Sequence, residues 1–379
     1  MLLSFGARNV FSFKEGFEVN LSLDGNCPND ISHGKSFANI MAIKGANASG
    51  KTNVLKVLNF LFDFGENSFN YENDKQIRFF SYFSSDEPSS MYIKFSINDD
   101  VYIYELELTE HKVISENLYK NGEIIIERIE NELKYFDDEY KELEVIKLKN
   151  TASLISTANQ YDMDSIAIIY SFFIRKMSNV GVLGLRDNFI DYKNVSAKYS
   201  KDTEAFQFAK HIITNSDTGI YDILIREYDK TDSEEKEYQP AFIYKIGNEK
   251  KVLTYQEQSS GVKSLYRQLA AYEIVISTGG VLILDEFDIN LHPDLLPLLL
   301  DFFDNPEKNE HDAQLIFTTH NTEIMERLKK YRTILVNKED NESFLYRLDE
   351  LNGEVIRNDR PLTPLYNSGR IGGKPKPTL

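Results

Sequence analysis

The chain has 379 residues, a formal charge of −17 and a single cysteine, Cys27. Hydrophobic residues make up 41% and charged residues 27%, which suits a folded protein and excludes a disordered chain, while one cysteine excludes an internal disulfide and a cysteine-rich zinc site. The acidic balance disfavours non-specific contact with a phosphate backbone over most of the surface, leaving only a local basic groove for DNA.

The opening MLLSFGARNVFSF lacks a charged leader, a long apolar run and a small-residue cleavage site, so no secretory signal is expected. The most apolar internal stretch, Ile166 to Leu185, is broken by Arg175 and Lys176 and is too short on either side to cross a bilayer. A cytoplasmic protein without membrane attachment is the expectation.

In chain order, Leu2 to Phe5, Val10 to Phe13 and the alternating Phe17, Val19, Leu21 and Leu23 read as short strands. Asn39 to Ile43 has the pattern of a buried strand, followed by a glycine-containing loop and a helix with Val54, Leu55, Leu58, Leu61 and Phe62 on one face. Met91 to Ile97 and Val101 to Leu108 alternate as a hairpin across Asn98 to Asp100, and Asn121-Gly122 marks a further turn. From Glu130 to Asn215 the sequence becomes charged and irregularly helical, without the sustained heptads of a coiled-coil arm. Tyr221 to Glu227 and Phe242 to Ile246 read as strands again, and the stretch after Ser368 reads as an irregular tail. The expected division is an N-terminal lobe over 1–130, a compact helical insertion over 131–215 and a C-terminal lobe over 216–379.

Chemistry concentrates at four places. Gly45, Ala46, Asn47, Ala48, Ser49, Gly50, Lys51 and Thr52 match G-x-x-x-x-G-K-[ST] between an expected strand and an expected helix. In such a loop backbone N–H groups converge on phosphate oxygens, Lys51 reaches the β- and γ-phosphates, and the Thr52 hydroxyl ligates Mg²⁺. Val281 to Leu284 is an apolar run ending in Asp285 and Glu286, the pattern of a buried strand delivering a Walker B pair: Asp285 for the Mg²⁺ shell, Glu286 to orient or deprotonate water. Ser259, Ser260 and Gly261 open an expected helix, and a hydroxyl with glycine N–H groups at that position makes a second anion site. Gln314 to Thr319 is another short apolar strand, ending in His320, while the other histidines show no metal-ligand spacing.

The ordered set of phosphate loop, Ser-Ser-Gly, Walker B and terminal histidine resembles the ABC/SMC-like superfamily. The details resemble its bacterial RloA-like and abortive-infection ATPases: Asn9 to Phe13, GANASGKTN with Asn47 and Asn53, Ser216 to Ile220, DEFDINLHP, and Leu365 to Gly373. The resemblance implies an α/β fold: an ABC-type ATPase head with a P-loop core sheet, an antiparallel β subdomain and a compact helical insertion. It implies ATP and Mg²⁺ as cofactors, with Gly45 to Asn53 binding nucleotide and Ser259, Ser260 and Gly261 capping the γ-phosphate of the opposite subunit. Glu286, His320 and Lys51 are the implied catalytic residues, and Thr52 and Asp285 the implied metal ligands. Phe11 and Ser12 fall where the family contacts adenine, although Phe11 also suits the core. Gln76 sits in a plausible stretch for a Q-loop but reads as a solvated residue. Gln258 replaces the leucine of transporters and His292 their D-loop aspartate, so transporter-like coupling is not implied.

By the same resemblance the expected assembly is a homodimer or higher homo-oligomer, acting in antiphage defence with a separate effector protein. A DNA-processing or repair ATPase and an ATP-binding scaffold with negligible turnover are the alternatives; the acidic charge and missing arm weigh against the first, and Glu286 and His320 against the second.

Overall fold

The computed structural model describes residues 1–71, 76–186, 190–229, 236–351, 356–358 and 360–374. β1 (Leu2–Arg8) pairs antiparallel with β2 (Phe17–Asn20). The stretch expected as a strand at Val10 to Phe13 is instead a tight turn, because Asn9 and Phe11 adopt φ of 56° and 51° and Val10 and Phe13 exchange main-chain bonds of 2.9 Å. After the single turn of α1 (Asn29–Ser32) comes β3 (Ile40–Gly45), buried at every residue, and then α2 (Lys51–Asn67), which buries Val54, Leu55, Leu58, Leu61 and Phe62 as its periodicity predicts.

β4 (Ser89–Ile97), β5 (Asp100–Leu108), β6 (Val113–Lys120), β7 (Glu123–Ile129) and β8 (Glu132–Phe136) continue as an antiparallel meander. With β1 and β2 they form a seven-stranded sheet of order β2-β1-β4-β5-β6-β7-β8. Asn121 and Gly122, both at positive φ, make the β6–β7 turn as the sequence predicts.

The 131–215 stretch, expected as a helical insertion, is woven into both layers. β8 lengthens the meander, and α3 (Leu154–Gln160) and α4 (Asp164–Phe173) pack on α2. Phe172 stacks on Phe95 at 4.0 Å and lies 5.0 Å from Phe62. β9 (Lys176–Ser178) enters the central sheet, and β10 (Val180–Gly181) and β11 (Gly184–Leu185) form a small hairpin. Only α5 (Tyr192–Lys201) and α6 (Thr203–Thr214) join the C-terminal helices.

An ion pair pins α3 to the meander. Arg128 and Glu116 are 0% and 3% exposed and meet at 2.7 Å; Glu116 also accepts from Tyr104 at 2.6 Å and from the Leu154 N–H at 2.8 Å. Removing one partner strands a buried charge, at a cost of about 3–5 kcal/mol. Chemical denaturation of Glu116→Leu should show a loss of that size, and Glu116→Leu/Arg128→Met a smaller one.

β12 (Ile220–Asp229), β13 (Lys236–Ile246) and β14 (Glu249–Thr254) form a three-stranded antiparallel sheet. The rest of the chain alternates: α7 (Ser260–Thr278), β15 (Val281–Leu284), α8 (Leu296–Asp304), β16 (Gln314–Thr318), α9 (Thr322–Leu328), β17 (Thr333–Glu339), β18 (Glu342–Arg347) and α10 (Leu362–Asn367). At 19 residues α7 is the longest helix among the described residues, none of which is long and apolar enough to cross a membrane.

The central sheet runs β18-β17-β3-β16-β15-β9, parallel throughout except for the edge strand β18. Its strands read as continuous apolar runs because both faces are covered. Met41, Ile43, Ile283 and Ile316 join the core beneath α2 and the meander. Their neighbours Ile40, Ala42, Leu282, Leu284, Leu315 and Phe317 join the core beneath α7 and α8. The architecture is mixed α/β, as the sequence predicts, and the structure places one largely parallel sheet between an antiparallel sheet and a helical layer.

Candidate functional site

Because β3, β15 and β16 are parallel neighbours, their carboxyl ends emerge at one edge of the sheet. From β3 the loop Ala46 to Gly50 turns into α2, with Asn47 and Ala48 exposed at its tip and Ser49 buried. Gly50 has φ of 110°, and a Cβ there would lie 2.7 Å from Ser343 Oγ, so this position requires glycine. Lys51 folds over the loop, its Nζ donating to the Gly45 and Ala46 carbonyls at 3.1 and 2.9 Å. Burial lowers its pKa, opposed by Asp285 and Glu286.

Asp285 is the centre of the second layer. Its carboxylate accepts from Thr52 Oγ1 at 2.9 Å and from Thr318 Oγ1 at 2.5 Å. Its main chain is bracketed by Asn179: the Asp285 N–H donates to Oδ1 at 2.7 Å, and Nδ2 donates to the Asp285 carbonyl at 3.0 Å. Glu286 follows at φ of 52°, a strained conformation for a glutamate, held by an N–H bond to Thr318 Oγ1 at 2.8 Å.

His320 lies exposed at the end of β16. Desolvation on its inner side, and then the charge of Lys51, hold its pKa below the usual value near 6.5. The unfolded chain therefore takes up this proton first as pH falls, and stability drops through the ordinary histidine range. An NMR titration should place the His320 midpoint below 6.5, and His320→Gln should flatten that part of the stability curve.

Several participants were not legible in the sequence. Ser343, from β18, donates to the Ser49 carbonyl at 2.7 Å and accepts from Ser12 Oγ at 2.8 Å, and Asn53 Nδ2 donates to the same Ser12 hydroxyl at 2.8 Å. Ser12, expected near adenine, is thus engaged in bracing the loop. Phe11 is half-buried, edge-on to Phe80 at 6.3 Å, with Lys56 Nζ 5.1 Å from its ring. Gln76 lines a separate cavity with Phe79, Phe80 and Gly184, whereas Asn179 holds the strand end beside β15. His292 is exposed and caps the turn into α8 through the Asp294 N–H.

Ser259 caps α7, accepting from the Val262 N–H at 3.3 Å, and Gln258 is buried beneath it, accepting from Tyr244 at 2.6 Å. A Cβ at Gly261 would sit 2.9 Å from the Asn290 carbonyl, so the helix start is pressed against the loop after Glu286. Among the described residues no hydrogen bond joins Ser259, Ser260 or Gly261 to the phosphate loop. The structure gathers Lys51, Thr52, Asp285, Glu286 and His320 at one edge, with Thr52, Asp285 and the Glu286 main chain joined by hydrogen bonds directly or through Thr318, and among the described residues the Ser-Ser-Gly turn is not bonded to them.

The donors suit Mg-nucleotide. Among the described residues the buried Ser49 Oγ of the loop has no hydrogen-bond partner. Thr52 and Asp285 offer a hydroxyl and a carboxylate, hard oxygen donors of the kind Mg²⁺ takes together with phosphate oxygens and water. A parallel sheet that presents these groups, covered by an antiparallel sheet and a helical layer, defines an ABC/SMC-like P-loop ATPase head.

A family model described as "AAA domain, putative AbiEii toxin, Type IV TA system" matches residues 40–326, and the chain belongs to that family, the abortive-infection type of ABC/SMC-like P-loop ATPase. Among solved structures it is similar to an SMC head bound to the C-terminal winged-helix domain of ScpA, at 16% identity and a TM-score of 0.54 over 92% of this chain and 98% of that one. The SMC head domain from Thermotoga maritima aligns at 14% identity and a TM-score of 0.46 over 91% and 98% of the two chains. At such identities the likeness concerns the fold alone. No curated protein matches the chain.

Proposed function

We propose that the protein is a cytoplasmic, Mg-dependent ATPase that works as a nucleotide-held homodimer and serves as the sensor or regulator subunit of an antiphage, abortive-infection-like system with a separate effector. The observation that carries the reading is the half-site: five groups suited to phosphate and Mg²⁺ share one sheet edge, while the turn suited to capping a γ-phosphate is not bonded to it. The family type supports the defence setting.

Bound Mg-ATP supplies the transferable phosphoryl group and the cation that screens its charge. The loop N–H groups and Lys51 hold the phosphates, and Thr52 and Asp285 offer metal ligands. Glu286 orients the attacking water and accepts its proton, His320 donates an N–H to the γ-phosphate, and Ser259 and Gly261 cap it from the second copy.

Mixing tests the assembly. Lys51→Ala lacks a competent loop but keeps its Ser-Ser-Gly turn, whereas Ser259→Arg keeps its loop and blocks only the partner's site. Each alone should be inactive, and verified heterodimers should recover phosphate release. Activity in a strictly monomeric wild-type preparation would rule the arrangement out.

A further inference from the structure

The closing segment Leu365 to Gly373 lies beyond the 40–326 match to the family model, and nothing in the half-site uses it. The structure seats it beside that site. Tyr366, in α10, is 9% exposed and lays its ring 4.8 Å from the ammonium of Lys44, a residue 2% exposed immediately before the phosphate loop. The same ammonium donates to the main-chain carbonyl of His320.

One bond closes the segment on itself and two fasten it to β17 and β18. Tyr366 OH donates to the Gly373 carbonyl at 3.0 Å, the Gly373 N–H donates to Asn337 Oδ1 at 2.6 Å, and Tyr346 OH donates to the Ile371 carbonyl at 2.6 Å. At its start the Leu362 and Thr363 N–H groups donate to Glu326 Oε2 at 2.8 and 3.0 Å. Glu326 belongs to α9, the helix that follows His320. The strap therefore grips the histidine loop from both sides, through Lys44 before the loop of β3 and through Glu326 after His320.

We infer that Tyr366 and Lys44 are positioning residues for His320: the C-terminal strap keeps the Lys44 ammonium on the His320 carbonyl and so fixes where the imidazole meets the γ-phosphate. The inference rests on the proposed role of His320. A buried ammonium needs acceptors or a π face. Without the ring, Lys44 has reason to turn toward the carboxylate of Asp288 and away from Lys51, the two charges that act on it, releasing the carbonyl.

The test compares wild type, Tyr366→Phe, Tyr366→Leu, Lys44→Met and the Tyr366→Leu/Lys44→Met double variant by steady-state phosphate release, equilibrium binding of Mg-ATP and thermal unfolding. Tyr366→Phe keeps the π face and should retain kcat within about twofold. Tyr366→Leu and Lys44→Met should each lose about tenfold in kcat, with the dissociation constant for Mg-ATP changed by no more than about twofold. The double variant should be no slower than Lys44→Met, because both changes cut one linkage. If Tyr366→Leu fails to fold, Tyr366→Met, which keeps the bulk without the ring, replaces it. Unchanged kcat in the ring-less variant, or losses that multiply in the double variant, would overturn the inference while leaving the ATPase reading intact. A wild-type protein that binds Mg-ATP and releases no phosphate would overturn both.

Discussion

Glu286→Gln will bind Mg-ATP and turn it over about 10²–10⁴-fold more slowly than wild type, the range expected for losing a general base. Glutamine keeps the shape and a carbonyl oxygen for water, and the main-chain bond from residue 286 to Thr318 Oγ1 is untouched, so the turn at positive φ stays in place. Chemistry is lost and architecture is kept. With hydrolysis slowed and binding intact, the ATP-bound homodimer should accumulate, which size-exclusion chromatography with light scattering would show. Unaltered single-turnover hydrolysis would move the role of base to another residue.

Lys51→Ala will lose nucleotide binding together with turnover. Its ammonium is the cation held over the phosphate loop, 8% exposed and bonded to the Gly45 and Ala46 carbonyls. Replacing it removes the charge aimed at the β- and γ-phosphates and leaves those carbonyls to solvent. Burial already disfavours the charged form of this lysine, so the substitution should not lower the melting temperature much. Isothermal titration with Mg-ATP, alongside thermal unfolding, separates the two effects; an unchanged affinity would withdraw the phosphate-binding assignment of the loop.

These predictions rest on residues visible in the sequence, and what was visible has a common cause. The phosphate loop, the Asp285-Glu286 pair and His320 each end a strand buried on both faces, so an apolar run points straight at them. Asn179 gave no such signal: β9 has three residues, Lys176 to Ser178, and a polar strand that short has neither a run nor an alternation to read. Ser343 escaped for a different reason. Its role is to touch Ser49 and Ser12, which are distant in sequence, and no local pattern encodes a contact made by the edge strand of a sheet. The segment 131–215 was legible as a change of composition but not as parts of two sheets, because its helices outweigh β8 and β9. Val10 to Phe13 reads as a strand by its aromatics, and the left-handed Asn9 and Phe11 fold it into a turn instead.

The interleaving of the central sheet also sets an order of events at the ribosome. β3 lies between β16 and β17, and Leu2 exchanges main-chain bonds of 2.7 and 2.9 Å with the side chain of Gln314. The meander from β4 to β8 pairs neighbours in sequence and can close as soon as it emerges, whereas β3 must wait for β16 and β17, which are made long after it. At about 5–20 residues per second that wait lasts some tens of seconds. Throughout it the apolar Ile40 to Ile43 and the apolar face of α2 have only the nascent meander, and then α3 and α4, to cover them, so the loop after β3 is made long before it can take its final shape.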